Sequence, residues 1–189
     1  MKVVEIFDSM QGEGFYMGVY CTFVRFAGCN LQCPFCDEHE KYSQAKEMTI
    51  PQIVKKCKQF AVVLTGGEPT IQKDLWRLVE KLKAAGHSVR IETNGTSTVT
   101  PAINWVTCSP KAPKYQITPG ADEIKLVVSK DLSLKKALEI ANEFKNRVWL
   151  QPCDGPWLEQ SKKRITKWIR RFPDQFRAGI QLHKYYNER

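Results

Sequence analysis

The stretch Tyr20-Cys21-Thr22-Phe23-Val24-Arg25-Phe26 runs through Ala27-Gly28 into Cys29-Asn30-Leu31-Gln32-Cys33-Pro34-Phe35-Cys36. Its first half is β-branched and aromatic and lies between Gly18 and Gly28, which predicts a strand delivering the chain into a cysteine loop. The loop spaces three thiols at x3 and x2, with no fourth in the run. Such a set can hold three irons of a cubane cluster and leave the fourth iron open to a ligand. His39 follows Cys36 at x2, so on spacing alone a structural Cys3His zinc site is the alternative. Cys21, Cys57, Cys108 and Cys153 share no ligand-like spacing and read as core positions.

Working outward, strands alternate with helices. Residues 61–64, 88–92, 104–108, 123–128, 147–150 and 177–183 read as further strands. Helices are expected after the capping box Thr49-x-x-Gln52, from 74 to Gly86, over 133–144 and over 158–172. Segments 96–103 and 112–122 contain prolines and glycine and are barely long enough for a helical crossover, so helices are expected to be missing there. The implied fold class is α/β: a partial, open β/α barrel in a single domain over 1–189.

The most informative regularity is positional. The cysteine loop, Thr65-Gly66-Gly67-Glu68-Pro69, Glu92-Thr93-Asn94-Gly95, Ser109-Pro110-Lys111, Gln151-Pro152 and Gln181-Leu182-His183-Lys184 each follow an inferred strand. In β/α architectures, chemistry sits at that end of the strands. Gly66-Gly67 leaves backbone groups open to a ligand's amino and carboxylate groups. Gln11-Gly12-Glu13-Gly14, read as preceding the first strand, offers an amide and a carboxylate suited to a heterocycle edge. If Val24 and Phe26 face the outer layer, alternation points Arg25 into the barrel, where a guanidinium needs an anion.

Composition narrows the class further. The 189 residues suffice for one well-buried core, and no apolar run approaches the ~20 residues of a membrane span. The N-terminus does not resemble a secretory signal, and an odd count of seven cysteines, three of them bunched, suits a reducing compartment; a cytoplasmic protein without membrane contact is expected. Net charge is +9, much of it in 162–171, a run able to touch nucleic acid or an acidic protein. Ile165, Trp168, Ile169 and Phe172 keep an apolar stripe within that run, so a solvated helix face is the plainer account and direct nucleic-acid contact is not expected.

The Cys-x3-Cys-x2-Cys loop followed by Gly-Gly-Glu-Pro resembles the radical S-adenosylmethionine enzymes. Adding Ser9-x-Gln11-Gly12-Glu13-Gly14, Phe23-Val24-Arg25, Gly28-Cys29-Asn30-Leu31, Cys36-Asp37, Glu92-Thr93-Asn94-Gly95, Ser109-Pro110-Lys111, Gln151-Pro152 and Gln181-x-His183-Lys184, the chain is similar over nearly its whole length to the 7-carboxy-7-deazaguanine synthase family.

That resemblance implies a 4Fe-4S cluster on Cys29, Cys33 and Cys36, with S-adenosylmethionine chelated at the free iron and cleaved by one electron to a 5′-deoxyadenosyl radical. It implies Phe35, Cys36, Asp37, Gly67, Ser109, Pro110, Lys111, Gln151, Pro152, Cys153 and Asp154 around that cofactor, with Glu68 and Asn94 nearby. The substrate implied is 6-carboxy-5,6,7,8-tetrahydropterin, held by Met10, Gln11, Gly12, Glu13, Arg25, Thr65, His183 and the terminal carboxylate of Arg189. Ring contraction with loss of ammonia would give 7-carboxy-7-deazaguanine. The family usually has Thr or Ser after Cys-Asp as part of a magnesium site; here Glu38 stands there, so magnesium binds it directly, is replaced by another ion, or is absent. Implied partners are an acidic electron donor such as a flavodoxin and a second copy in a homodimer. A radical activase acting on a protein, and a zinc and RNA-binding module, are the rival classes.

Overall fold

The computed structural model describes residues 1–36, 38–144 and 147–188. Asp37 and Arg189, both expected in the site, lie outside the described residues, as does the side chain of His39. The strands are β1 (Lys2–Met10), β2 (Tyr20–Phe26), β3 (Lys46–Glu47), β4 (Ala61–Gly66), β5 (Ser88–Thr93), β6 (Trp105–Cys108), β7 (Glu123–Val128), β8 (Val148–Pro152) and β9 (Arg177–Ala178). They form one open sheet in the order β3-β1-β2-β4-β5-β6-β7-β8-β9. From β2 to β9 every pairing is parallel, whereas β1 pairs antiparallel with both β2 and β3. The sheet is a partial β/α barrel that does not close.

Helices α1 (Ile50–Lys56), α2 (Leu75–Ala84), α3 (Leu134–Glu143) and α4 (Leu158–Arg171) cover the outer face, and a short α5 (Leu182–Tyr185) ends the chain. Their boundaries follow local chemistry. Thr49 and Gln52 exchange capping bonds at the start of α1, and Ser133 Oγ accepts from Lys136 N before α3. After α2 the backbone turns through Gly86 at φ +88°, a left-handed conformation that suits glycine. Val24, Phe26, Val62, Leu64, Val89 and Ile91 bury against Ile53, Leu78, Val79 and Leu82, while Ile124, Leu126, Val148 and Leu150 bury against Ala137, Ala141, Ile165 and Trp168. Each of the Val, Leu, Ile and Phe side chains contributes about 1.5–3 kcal/mol by leaving water. The basic run of α4 is a solvated face above buried Ile165 and Trp168.

As expected, no helix forms in 96–103 or 112–122. Two expectations are corrected. Gln11-Gly12-Glu13-Gly14 does not precede the first strand; it opens the loop of the β1–β2 hairpin, because residues 2–10 pair along β2. The final strand is only Arg177–Ala178, and His183 lies in α5 rather than at a strand end. The chain after β9 nevertheless reaches the hairpin loop, where Leu182 N donates to Gly12 O at 2.9 Å. No described helix is long and apolar enough to cross a membrane.

Candidate active site

Cys29, Cys33 and Cys36 lie in the loop leaving β2, all as free, part-exposed thiols. A cavity of about 420 Å³ opens there, lined by Gly28, Cys29, Leu31, Gln32, Cys33 and Tyr42. Cys36 N donates to Cys33 O at 3.1 Å, and Leu31 N approaches Cys29 Sγ at 3.4 Å. Burial pushes the Cys33 thiol up, Lys111 opposes that, and Cys36 and Cys29 add to it. Tyr42 is pushed up to about 12, first by burial and then by Cys29 and Cys36. A soft sulfur donor set of this kind beside an open cavity fits an iron–sulfur cluster.

The next strand ends brace this loop. Gly67 N donates to Phe26 O and Glu68 N to Gly28 O, both at 2.9 Å. A Cβ on Gly67 would lie 1.8 Å from Gly28 O, so only glycine permits that approach. The fully buried Glu68 carboxylate accepts from Thr70 N (3.1 Å), Thr70 Oγ1 (2.7 Å), Thr93 Oγ1 (2.7 Å) and Asn94 N (2.6 Å), tying the end of β4 to that of β5. Asn94 Nδ2 then donates to Asn30 Oδ1 at 2.9 Å and reaches Cys29 Sγ at 3.9 Å. Glu68 is thus a brace, and Asn94 carries its position to the cysteine loop.

Past Pro110, Lys111 Nζ folds back to donate to Ser109 O and Oγ, each at 2.6 Å, while Ser109 Oγ donates to Lys125 O at 2.9 Å. Burial, and then the charge of Lys125, lower the Lys111 pKa from 10.5 to about 8. At the end of β8, Gln151 is 3% exposed, yet neither amide atom has a hydrogen-bond partner among the described residues. An unsatisfied buried amide is costly, and its placement suits a polar ligand that would complete it. After Pro152, Cys153 N is held by Ser161 Oγ at 3.0 Å, and Asp154 pairs with Lys184.

On the inner face of the sheet, the hairpin loop meets β5 and β7. Gln11 Nε2 donates to Glu92 Oε1 at 2.8 Å, and Lys125 Nζ bonds Glu92 Oε2 and Glu13 Oε2 at 2.5 Å each. Burial opposes charge on Lys125, but the Glu13 and Glu92 carboxylates hold its pKa above the usual lysine value. Burial likewise works against the Glu92 carboxylate, and Lys125 reverses the outcome, leaving its pKa lowered. Gly12 lies against His183, whose Nδ1 would be 1.9 Å from a Cβ there. Burial lowers the His183 pKa and favours neutral imidazole. Met10 closes β1 opposite Tyr20, and Thr65 lies beside Arg25 across β2 and β4.

Arg25 projects from the face of β2 opposite Val24 and Phe26, but it is already engaged. Its Nε pairs with Glu5 at 2.8 Å and its Nη1 with Glu38 at 2.6 Å, and Lys41 Nζ reaches the same Glu38 oxygen at 3.1 Å. Glu38 therefore serves as a counterion to two cations, leaving one buried oxygen without a hydrogen-bond partner among the described residues. While Arg25 and Lys41 hold Glu38, a divalent ion on that oxygen would adjoin two positive charges, which disfavours magnesium there. Phe35 and Cys36 lie at the end of the cysteine loop.

Glu92 belongs to a strand-ending motif of the rim, whereas no motif in the sequence marks Lys125, Glu5 or Tyr42. The available signal was charge at alternate positions within otherwise apolar β7 and β5, Glu123-Ile-Lys125-Leu and Arg90-Ile-Glu92.

Residues 23–148 match the Radical SAM superfamily. The chain is 40% identical over 186 residues to the 7-carboxy-7-deazaguanine synthase of Bacteroides thetaiotaomicron, covering 97% of this chain and 96% of the relative. It is 38% identical to that of Aquifex aeolicus, covering 97% and 92%. The crystal structure of QueE from Escherichia coli superposes with a TM-score of 0.74 at 26% identity, over 96% of this chain and 94% of that one. With the cysteine loop, the braced strand ends and the open barrel arranged as described, the chain belongs to the 7-carboxy-7-deazaguanine synthase family of the radical S-adenosylmethionine superfamily.

Proposed function

We propose that this enzyme converts 6-carboxy-5,6,7,8-tetrahydropterin to 7-carboxy-7-deazaguanine and ammonia. The observation that carries the assignment is the array Gln11–Glu92–Lys125–Glu13, linked at 2.5–2.8 Å across the inner face of the barrel. Two carboxylates around one ammonium leave a net negative, hydrogen-bond-accepting surface, which suits the N–H-rich pyrimidine edge of a pterin. Gln11 and Glu13 would read that edge, Met10 and Gly12 shape the approach, and Thr65 and neutral His183 complete the wall.

Arg25 would take the substrate carboxylate by exchanging it for Glu38, one anion for another on the same guanidinium. A 4Fe-4S cluster on Cys29, Cys33 and Cys36 with S-adenosylmethionine supplies hydrogen-atom abstraction when bound. Phe35, Gly67, Ser109, Pro110, Lys111 and the segment Gln151, Pro152, Cys153 and Asp154 would hold that cofactor's nucleoside and methionyl ends. The open amide of Gln151 is the group best placed to gain from it. An acidic electron donor such as a flavodoxin would dock on the basic surface of this +9 chain. A cytoplasmic homodimer is the expected working form.

The test is to incubate the anaerobically reconstituted protein with reductant, S-adenosylmethionine and the carboxytetrahydropterin, and to identify products by mass spectrometry. A product at the mass of 7-carboxy-7-deazaguanine, with ammonia and 5′-deoxyadenosine, supports the assignment. Cofactor cleavage that never consumes the pterin would refute it.

A further inference from the structure

Glu123, the first residue of β7, faces the same side of the sheet as Lys125, two positions on. It is 3% exposed. Its carboxylate is nevertheless fully used. Oε2 accepts from Phe15 N at 2.8 Å, and Oε1 accepts from Thr107 Oγ1 at 2.7 Å and Trp105 Nε1 at 3.2 Å. One of these donors belongs to the hairpin loop and two to β6, so a single buried anion joins the loop to the barrel wall.

The loop is closed on itself above that point. Gln11 N donates to Val19 O and Gly18 N to Gln11 O, both at 2.8 Å, and Met17 N bonds Gly14 O at 3.3 Å. Phe15 stacks on Trp105 with centroids 5.0 Å apart, and the Arg90 guanidinium lies 3.5 Å over the Tyr16 ring. Gly14, at φ +71°, passes so close that an added Cβ would lie 2.5 Å from Glu123 Oε1. A displacement at Phe15 is therefore passed to Glu13 and Gln11 through a short, internally bonded segment.

We infer that Glu123 is a positioning residue that sets the register of the hairpin loop, and with it the placement of Gln11 and Glu13 toward the pterin. The inference rests on the assignment of those two side chains to substrate binding. Lys125 holds Glu13 by its charge; Glu123 holds the backbone two residues further along. Together they clamp the loop from one strand.

Glu123→Gln separates anchor from wall. An amide offers one acceptor oxygen and one donor nitrogen; with the oxygen kept by Thr107 and Trp105, the nitrogen opposes the Phe15 N–H. The substitution should release the loop while leaving β6 and β7 joined. Hydrogen exchange of the Phe15 to Met17 amides should accelerate about tenfold. The pterin KM should rise about tenfold, while kcat and pterin-free cleavage of S-adenosylmethionine stay within about twofold, a split that general loss of stability would not produce. Gly14→Ala attacks the same contact from the loop side and should reproduce the KM effect, which covers the case in which Glu123→Gln fails to fold. Glu13→Gln is the reference. If it raises KM while Glu123→Gln and Gly14→Ala do not, or if exchange is unchanged in Glu123→Gln, the anchor role is overturned. If Glu13→Gln and Gln11→Ala both leave KM unchanged, it is the substrate assignment that fails, and accelerated exchange alone then decides whether Glu123 anchors the loop.

Discussion

The two faces of the same strands obey different physics. On β7, Ile124, Leu126 and Val128 point into the helix layer and are fully buried among apolar side chains, whereas Glu123 and Lys125, which alternate with them, point inward and are held by charge and hydrogen bonds. On β5, Val89 and Ile91 alternate with Arg90 and Glu92 in the same way. The outer face is non-directional and is stabilised by area. The inner face is directional: Lys125 is neutralised by Glu13 and Glu92, and Glu123 is held by hydrogen bonds from Phe15, Thr107 and Trp105. Along one strand the outer residues thus serve stability alone, whereas the inner ones serve stability and the site together.

The largest expected effect is at the cysteine loop. Cys33→Ala should abolish cluster retention and cofactor cleavage, measured as iron, sulfide and 5′-deoxyadenosine, while Cys57→Ala, in the outer core, should keep both. Equal loss from both would erase the distinction between the faces. Gly67→Ala should come next, because its Cβ would require Gly28 to move and carry the loop with it; iron content after desalting should fall, and an unchanged content would show that the loop tolerates the shift.

Lys125→Met comes third, with a loss of about 3–5 kcal/mol at neutral pH from stranding buried carboxylates. The pH profile gives the sign. In the unmodified chain Glu92 is lowered, so its contribution is present above the ordinary carboxylate value of 4.5 and is lost as pH falls below it. Lys125 is raised, so its contribution is complete below 10.5 and is lost above. Stability from the pair is flat between those values. Without the ammonium, burial raises Glu92, and the variant should recover stability as pH falls toward 4.5; denaturant melts across pH would show it, and a variant parallel to the parent at every pH would count against the pairing. The smallest effect concerns the surface: turnover with an acidic flavodoxin should decline several-fold between low and physiological salt, whereas a small chemical reductant should show no such dependence.

The outer face was largely legible in the sequence. Leu75, Leu78, Val79 and Leu82 announce a helix by spacing, and the strand-ending motifs mark the functional rim. What escaped depended on partners distant along the chain. Residues 2–10 carry charge at every third position, Lys2, Glu5 and Asp8, rather than at alternate ones, so their sequence does not announce the hairpin strand that places Gln11 and Glu13. Alternation predicts Arg25 facing inward beside an anion, as it is found, but not which anions: Glu5 and Glu38 lie on opposite sides of it in sequence. Ile180 and Leu182 extend the apolar pattern of the last strand beyond Ala178, where the strand ends before the chain turns into α5.

The separation of faces is tested most directly by two adjacent substitutions on β7, Lys125→Met and Leu126→Ala, each titrated with the carboxytetrahydropterin under anaerobic conditions at a temperature where both remain folded. Leu126→Ala should lose about 2–5 kcal/mol of stability and bind the pterin as the parent does. Lys125→Met should bind at least about tenfold more weakly, since Glu13 and Glu92 lose the charge that aligns them. Equal pterin affinity in the two variants would contradict the account.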